Sequence, residues 1–306
     1  MNSRKTEMDT LAVTILISFN VLLGLNQALV KIVNVGFSPI FQAGFRSACA
    51  FIPVLIFAWI MKRRLSVTDG SLPWGVLNGL LFSFEFALLF VALDYTTVAR
   101  VSLFFYMMPI WVTLSAHFLI PEEALNSNKI LGLIFAVTGV VLAFSGDLGS
   151  AGEDAWIGDL LALIGGMFWA GIAMNTRLKL QSVSSEMNLL YQLFISGILL
   201  TVLAILIGAP IREPNAFIFA VFTFQVIVIV SIGFLLWFWV LANYPVSNMA
   251  SFSLLTPIFG VFFGWLVFSD PITPALAGAL LLACAGIFLI NKPKAKTTLA
   301  TDETAQ

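Results

Sequence analysis

The chain has 306 residues, of which 60% are hydrophobic and only 10% are charged, and its formal net charge is −1. An ordinary soluble domain is about one quarter charged, so this composition excludes a soluble globular protein. Apolar runs of about 20 residues, each long enough to cross a bilayer as a helix, recur along the whole length. These runs lack the alternation of apolar and polar residues that the strands of membrane β-barrels show. We therefore predict an all-α polytopic membrane protein.

Ten membrane-spanning helices are predicted, joined by short loops that contain turn and capping residues. The first five are placed at 10–33, 39–61, 72–93, 97–120 and 128–146, and the second five at 157–177, 186–208, 216–241, 246–268 and 273–291. The polar N-terminal lead has no small-residue cleavage site, which predicts an uncleaved first helix. Residues 292–306 are predicted to form a polar cytoplasmic tail without an assembly signal.

The lysine and arginine residues of the loops are concentrated on one side of the predicted spans. That side carries Arg4, Lys5, Lys62, Arg63, Arg64, Lys129, Arg177, Lys179, Lys292, Lys294 and Lys296. The other side carries Arg100 and Arg212, with Lys31 just inside its edge. Because cytoplasmic loops are enriched in Lys and Arg, we predict that the N- and C-termini are both cytoplasmic.

Two apolar stretches, one in each half of the chain, have a proline near the middle. Pro109 is central to residues 95–123, and Pro257 is central to residues 243–270. A proline inside a helix removes one backbone hydrogen bond and tends to kink the helix. In a membrane, the carbonyl group four residues earlier then needs another partner or a water-lined cavity. Matched kinks in two halves point to the central pathway of a transporter.

The second half repeats the first at an offset of about 146 residues at the start and 148 residues from the third span onward. This alignment places Arg177 on Lys31 and Asp270 on Glu122. Five spans are an odd number, so the two halves must enter the membrane in opposite directions. We therefore predict two inverted five-helix repeats, 10–146 and 157–291, with a substrate site at their interface near the midplane.

A family resemblance rests on residues that recur in order along both halves. They are Gly24, Lys31, Arg46, Pro109, Pro121, Glu122, Glu123, Gly132, Gly139, Trp169, Ala170, Pro257, Asp270, Gly278 and Gly286. This order resembles the drug/metabolite transporter superfamily, specifically its EamA-type members, which include metabolite and amino-acid exporters. The resemblance covers about residues 10–291. Asp270 departs from it by standing where Glu is usual, and Gln192 departs by standing where the first half has a basic residue.

The resemblance implies a ten-helix carrier in a bacterial cytoplasmic (inner) membrane. It also implies a central cavity lined by the first, third and fourth helices of each half.

Ionisable side chains inside a bilayer are costly and are therefore functional candidates. Glu85 lies near the middle of the third span, with Asn78 seven residues earlier on the same helical face. Two alternative roles are open for Glu85. One is coupling or substrate binding, and the other is a structural pair with Arg46. Arg46 lies about one third of the way through the second span. It is a candidate for binding a substrate carboxylate, but we favour a structural role at the interface or at a helix end.

Two spans carry polar residues along one helical face. They are Asn20, Gln27 and Lys31 in the first span, and Ser102, Tyr106, Thr113 and His117 in the fourth. Such faces are typical either of a solute pathway or of hydrogen bonds between helices, and both readings remain open. Tyr106 with Trp169 and Trp237 is a further candidate for an aromatic cavity wall, which would suit amphipathic or aromatic metabolites.

Metal and cofactor chemistry has little support in the sequence. The single histidine, His117, and the two cysteines, Cys49 and Cys284, match no metal-ligand spacing. No Walker A sequence is present, so direct use of ATP is not expected. We expect no cofactor, no metal site and no nucleic acid partner.

The sequence therefore predicts a secondary transporter of a small organic metabolite, an exporter that works by alternating access to a central site. Its partners are a small-molecule substrate and the lipid bilayer, with proton coupling through Glu85 as a subsidiary hypothesis. The alternative is a membrane-embedded receptor or an enzyme acting on a small amphipathic ligand. An enzyme would need paired catalytic groups at one depth, and the aspartates at span ends do not supply them, so we expect no enzymatic activity.

Overall fold

A computed structural model describes residues 9–145, 152–208, 210–243, 252 and 254–291 of the chain. Within these residues, nine helical spans are long and apolar enough to cross a membrane. A tenth apolar helix, Leu255–Phe268, is shorter. The protein is thus an integral membrane protein built from helices.

Twelve described helices are numbered here in chain order. The first half contains α1 (Thr10–Asn34), α2 (Pro39–Ile60), α3 (Leu72–Tyr95), α4 (Val98–Phe105), α5 (Met108–Leu119) and α6 (Ser127–Ser145). The second half contains α7 (Ala155–Lys179), α8 (Ser185–Ile207), α9 (Ala216–Phe224), α10 (Phe234–Asn243), α11 (Leu255–Phe268) and α12 (Pro274–Asn291). Helices α4 and α5 form one span, and the π-helical segment Gln225–Gly233 joins α9 to α10 in another.

The ends of nine predicted spans agree with the helix ends to within two residues. The ninth predicted span, 246–268, is described as a helix only from Leu255, because residues 244–251 and 253 lie outside the described residues. Residues 1–8 of the N-terminal lead, residues 146–151 of the acidic loop and the predicted tail also lie outside them. The bundle has a terminal end, where α1 begins and α12 ends, and a distal end, where α1 ends and α2 begins.

Pro109 breaks the fourth span into two helices. It is the second residue of α5 and has no N–H to donate to the Phe105 carbonyl, so α4 ends at Phe105 and α5 begins at Met108. The Phe105 carbonyl faces α7, where a Cβ added at Gly166 would lie 2.7 Å from its oxygen. Pro257 is the third residue of α11 and is buried. The carbonyl four residues before Pro257 lies outside the described residues.

Helices α2 and α8 pack antiparallel between the two halves. A Cβ added at Gly197 would lie 3.0 Å from the backbone nitrogen of Ala48. Farther along the same pair, the rings of Phe51 and Phe194 have their centroids 5.6 Å apart. The 146-residue offset exchanges the residues of these two contacts, since it places Phe194 on Ala48 and Gly197 on Phe51.

Helices α6 and α12 also pack antiparallel, through glycines that bring their backbones together. A Cβ added at Gly132 would lie 2.6 Å from the Gly286 carbonyl oxygen, and one added at Gly286 would lie 2.6 Å from the Gly132 carbonyl oxygen. Both oxygens belong to helical backbone and cannot rotate away. Small residues at this crossing therefore let the two helices approach closely.

We predict that Gly132→Ala destabilises the protein by about 1–3 kcal/mol through overpacking. The predicted loss of stability is opposite in sign to the effect of helix propensity, because alanine is favoured over glycine in a helix by about 1 kcal/mol. The check is the midpoint of thermal unfolding in detergent. Gly171→Ala in α7 is the matched control, because its nearest neighbour is a Leu81 methyl group at 3.5 Å. Equal midpoints for the two variants would show that the α6–α12 crossing tolerates a side chain.

Candidate functional site

A cavity of about 340 Å³ lies inside the bundle beside the α4–α5 break. Both halves contribute to its wall. The lining residues are Phe19, Asn20, Leu23, Phe82, Glu85, Phe86, Tyr106, Met108, Pro109, Trp169, Ile172, Gln192, Phe234, Trp237, Thr256 and Ile287. A mostly apolar wall with a few polar groups is typical of sites for small organic molecules.

The cavity occupies the middle of the bundle and extends toward the terminal end. Glu85 lies near the middle of α3, and Pro109 lies near the middle of its span. Gln192 lies in the part of α8 nearer the terminal end, where that helix begins. A solute in the cavity would therefore lie closer to the terminal end than to the distal end.

Aromatic rings from both halves form much of the wall. Trp169 stacks on Phe105, with centroids 5.2 Å apart, and meets the Tyr106 ring edge-on at 5.9 Å. Trp237 stacks on Phe19 at 5.1 Å. The structure thus brings the sequence candidates Tyr106, Trp169 and Trp237 to one cavity.

The polar face of α1 divides between the cavity and helix packing. Asn20 lines the cavity, donates to the Leu16 carbonyl at 2.7 Å and accepts a hydrogen bond from the Thr256 hydroxyl of α11. Gln27 is buried behind the wall, where its side chain interacts with the Tyr106 hydroxyl. The side-chain oxygen of Gln27, Oε1, has no hydrogen-bond partner among the described residues. Gln27 thus supports the wall rather than lining it.

Glu85 supplies a carboxyl group to the cavity wall and is only 4% exposed. Its Oε2 atom is buried and has no hydrogen-bond partner in the described part of the chain. The charged groups it faces are those of Arg46 and, when ionised, Tyr106. A buried carboxylate without a close partner is costly, so Glu85 is suited to hold a proton or to meet a cationic group of a solute.

Arg46 points into the bundle and is 2% exposed, so the predicted position at the interface is not observed. Its guanidinium lies 4.6 Å from the ring centroids of both Phe86 and Phe90. Nη1 donates to Asn26 Oδ1 at 3.4 Å. Within the described ranges, no carboxylate oxygen lies within 4.0 Å of it.

The Arg46 side chain lines a pocket of about 40 Å³ that adjoins the central cavity. Asn26 and Ser47 are the other polar residues of this pocket. The two spaces share wall residues, namely Leu23, Phe82, Phe86 and Phe234. The Arg46 side chain therefore lines a space that borders the cavity.

Besides Gln27 and Arg46, three further sequence candidates lie away from the cavity wall. Asn78 is fully buried and donates to Thr176 Oγ1 and Asn188 Oδ1, both at 2.8 Å. Ser102 is fully buried against α11, where a Cβ added at Gly260 would meet its Oγ. Pro257 is not part of the wall, although its neighbour Thr256 is. Asn78 and Ser102 serve contacts between helices.

Gln192 and Thr256 line the cavity and were not singled out as pathway residues. Each had a sequence signal, since Gln192 aligns with Arg46 at the 146-residue offset and Thr256 precedes the central proline of the second half. No group of three His, Cys, Asp or Glu side chains is placed to hold a metal ion, as far as the described residues show.

Comparison with known proteins gives a consistent picture. The model of the EamA-like transporter family matches the chain twice, over residues 10–145 and 156–292. The chain is 24% identical over 253 residues to the uncharacterized transporter YoaV of Bacillus subtilis, covering 82% of this chain and 86% of that protein. It is also 24% identical over 280 residues to a probable amino-acid metabolite efflux pump of Salmonella typhimurium, covering 87% and 90%.

A solved crystal structure shares the fold. Its TM-score is 0.66 at 18% sequence identity, and the match covers 91% of this chain and 96% of that one.

Proposed function

Because the chain belongs to the EamA-like transporter family, it is a transporter, and we propose that it is a secondary carrier that exports a small amphipathic metabolite by alternating access. The observation that carries the proposal is the cavity of about 340 Å³ enclosed by both halves near mid-depth. Its aromatic wall suits the apolar part of a solute, and Glu85 and Arg46 suit its charged part.

The proposed architecture is ten spans arranged as two inverted five-helix repeats, 10–146 and 157–291. The two matches to the family model and the antiparallel pairs α2–α8 and α6–α12 support it. Equivalent helices that run antiparallel are what an axis in the membrane plane produces. Such an axis also accounts for a site shared by both halves.

A carboxylate on the solute would complete the surroundings of Arg46. A guanidinium has five N–H donors, and the described residues offer Arg46 one long hydrogen bond. Because buried cations need a partner, a solute carboxylate reaching the adjoining pocket would form charge-assisted hydrogen bonds there. The name of the Salmonella relative is consistent with a solute of this chemical class.

The proposed orientation places both termini in the cytoplasm of a bacterial cell, with the protein in the inner membrane. The excess of Lys and Arg on the terminal side supports it. In this orientation the cavity extends toward the cytoplasm, the side from which an exporter takes its solute. Glu85 is proposed to couple transport to a proton, because it is a buried carboxyl group that faces the cavity.

The test is transport by purified protein in proteoliposomes. Solutes identified by thermal stabilisation of the folded protein are followed by counterflow of the labelled compound. Arg46→Gln is expected to weaken binding of a carboxylate solute about 10- to 150-fold, the effect of losing a hydrogen bond to a charged group. Arg64→Gln, at an exposed position, is the matched control and should bind normally.

Three outcomes would contradict parts of the proposal. Binding without flux would favour the receptor alternative, and chemical conversion of the solute would favour the enzyme. Normal flux of a carboxylate solute in Arg46→Gln would remove Arg46 from the binding site and leave the carrier itself intact.

A further inference from the structure

Five amide and hydroxyl side chains form a hydrogen-bonded series between the terminal end of the bundle and the cavity. They are Asn175 and Thr176 of α7, Asn78 of α3, and Asn188 and Gln192 of α8. Asn78, Asn175 and Gln192 are buried. Of the five, Gln192 is the one that lines the cavity. This set is called the amide relay.

The relay begins at a backbone group that can only accept a hydrogen bond. Asn175 Nδ2 donates to the Trp74 carbonyl at 2.9 Å, and its second N–H donates to Asn78 Oδ1 at 2.6 Å. Because a carbonyl oxygen has no proton to donate, the main chain of α3 fixes the orientation of the Asn175 amide. The oxygen of Asn78 must then face Asn175, and the NH₂ group of Asn78 must face away from it.

Each later amide is oriented by the one before it. Asn78 Nδ2 donates to Thr176 Oγ1 and to Asn188 Oδ1, both at 2.8 Å. Asn188 donates from its own NH₂ group to Thr176 Oγ1 at 3.1 Å. The Asn188 oxygen accepts a second hydrogen bond from Gln192 Nε2 at 3.3 Å. Reversal of any one amide would place two N–H groups or two oxygens against each other, so the series has a single direction.

The last amide of the relay is that of Gln192, whose NH₂ group is turned toward Asn188. Its Oε1 atom accepts no hydrogen bond from a described residue, and it is not one of the enclosed side-chain atoms that lack a partner. This oxygen is therefore available to a solute in the cavity. The carboxyl group of Glu85 lies in the same wall. A group with several N–H donors, such as an ammonium, can bind to both.

We propose that Gln192 determines specificity for a solute that carries an N–H donor such as a primary ammonium group. The three asparagines of the relay are positioning residues, because they hold the Gln192 oxygen toward the cavity. This inference rests on the proposed carrier function and names a group of the solute that the wall recognises. The relay orders the Gln192 side chain before the solute binds. Without that order, immobilising the side chain would weaken binding by about 2- to 12-fold.

Two aromatic probes with different N–H groups test the proposal. They are phenethylammonium and its N,N,N-trimethyl analogue, which has the same ring and the same charge but no N–H donor. Neither probe has a carboxylate, so the test does not depend on Arg46. Both affinities are measured by isothermal titration calorimetry with the purified protein. The ratio of the two dissociation constants gives the preference for N–H donors.

The parent protein is expected to prefer the primary ammonium by about 10- to 150-fold, the effect of a hydrogen bond to a charged group. Gln192→Met keeps the size of the side chain but has no oxygen, so it should remove most of this preference. Asn188→Leu should lower the preference by about 2- to 12-fold, because the solute must then immobilise Gln192. Asn188→Asp should keep it, since a carboxylate still accepts from Gln192 Nε2 and its added charge acts on both probes alike.

Asn34→Leu is the matched control for Asn188→Leu. Asn34 is also a buried amide that joins two helices, since it donates from α1 to the Phe90 carbonyl of α3 at 3.0 Å. It lies at the distal end and is not part of the cavity wall. Both variants should lower the midpoint of thermal unfolding, whereas only Asn188→Leu should change the preference between the probes.

Two results would overturn the specificity role of Gln192. One is a parent protein that binds neither probe or binds both equally, and the other is an unchanged preference in Gln192→Met. Gln192→Met alters only the cavity wall, so this test stands even where Asn188→Leu does not fold. An unchanged preference in a folded Asn188→Leu variant, despite its lower unfolding midpoint, would overturn the positioning role.

Counterflow in proteoliposomes separates this inference from the proposed function. Selective binding of the primary ammonium without counterflow of the labelled compound would contradict carriage and leave the role of Gln192 in place. Counterflow with the same probe preference in the parent protein and in Gln192→Met would overturn the role of Gln192 and leave the carrier intact.

Discussion

Replacing Asp159 by asparagine is expected to lower the free energy of unfolding by about 3–5 kcal/mol, the usual cost of breaking a buried ion pair. Asp159 is fully buried in α7 and binds Arg100 of α4. Arg100 Nε lies 3.1 Å from both carboxylate oxygens, and Arg100 Nη2 lies 2.5 Å from Oδ2. Thr96 donates a further hydrogen bond at 3.1 Å. Loss of the carboxylate charge leaves a buried guanidinium without its counter-ion.

The measurement is unfolding in detergent by heat or denaturant. Asp94→Asn is the control, because the Asp94–Arg212 pair also joins the two halves but its side chains are 27% and 41% exposed. A pair this exposed is worth about 0–1 kcal/mol. The double variant Arg100→Met with Asp159→Leu should recover most of the lost stability, since apolar replacement of a whole buried pair is often neutral. Similar losses for Asp159→Asn and Asp94→Asn would contradict this account of burial.

The positions of the spans were predictable because each is a long apolar run bounded by turn residues. A membrane helix satisfies its backbone hydrogen bonds internally, so the run itself determines the element with little help from its neighbours. The family resemblance was confirmed for the same reason, since it rested on the order of residues along the chain. The break at Pro109 was also local, because a missing N–H acts within one turn.

The cavity was only partly predictable because a helical face meets different neighbours at different depths. Asn78 and Glu85 share a face of α3, yet Asn78 meets amide side chains of α7 and α8 whereas Glu85 meets open space. The spacing of polar residues in the sequence identifies which face of a helix they share. It does not give the depth at which the neighbouring helices separate, because that depends on packing. The same holds for Arg46, whose inward position depends on the rings of Phe86 and Phe90.

The Arg100–Asp159 pair was missed because its partners are 59 residues apart and each lies near a predicted span end. Charged residues near span ends usually reach the interface, where they need no partner. Here α4 and α7 run parallel and in contact, which buries both side chains at the same depth. Only tertiary packing turns two residues that look like interface residues into a buried ion pair.

Glu85→Gln is expected to reduce the rate of transport by about 30-fold or more and to abolish its dependence on pH. The magnitude follows from the 2–5 kcal/mol that a buried charge partner typically contributes. Glutamine keeps the size and polarity of the side chain but cannot take up or release a proton. The groups that face Glu85 and can carry charge are Arg46 from α2 and Tyr106 from the α4–α5 break. A pH dependence that remained in the Glu85→Gln variant would therefore have to come from a titrating group other than Glu85.

The measurement is the initial rate in proteoliposomes over a range of pH, with and without an imposed proton gradient. Gln192→Ala is the matched control, because Gln192 lines the same cavity but does not titrate. We expect it to change affinity and to leave the pH profile as it is in the parent protein. An unchanged rate and pH profile in Glu85→Gln would mean that transport does not depend on a proton at Glu85. The buried carboxyl group would then serve as the counter-charge of Arg46, and the Arg46→Gln binding experiment would still test the carboxylate site independently.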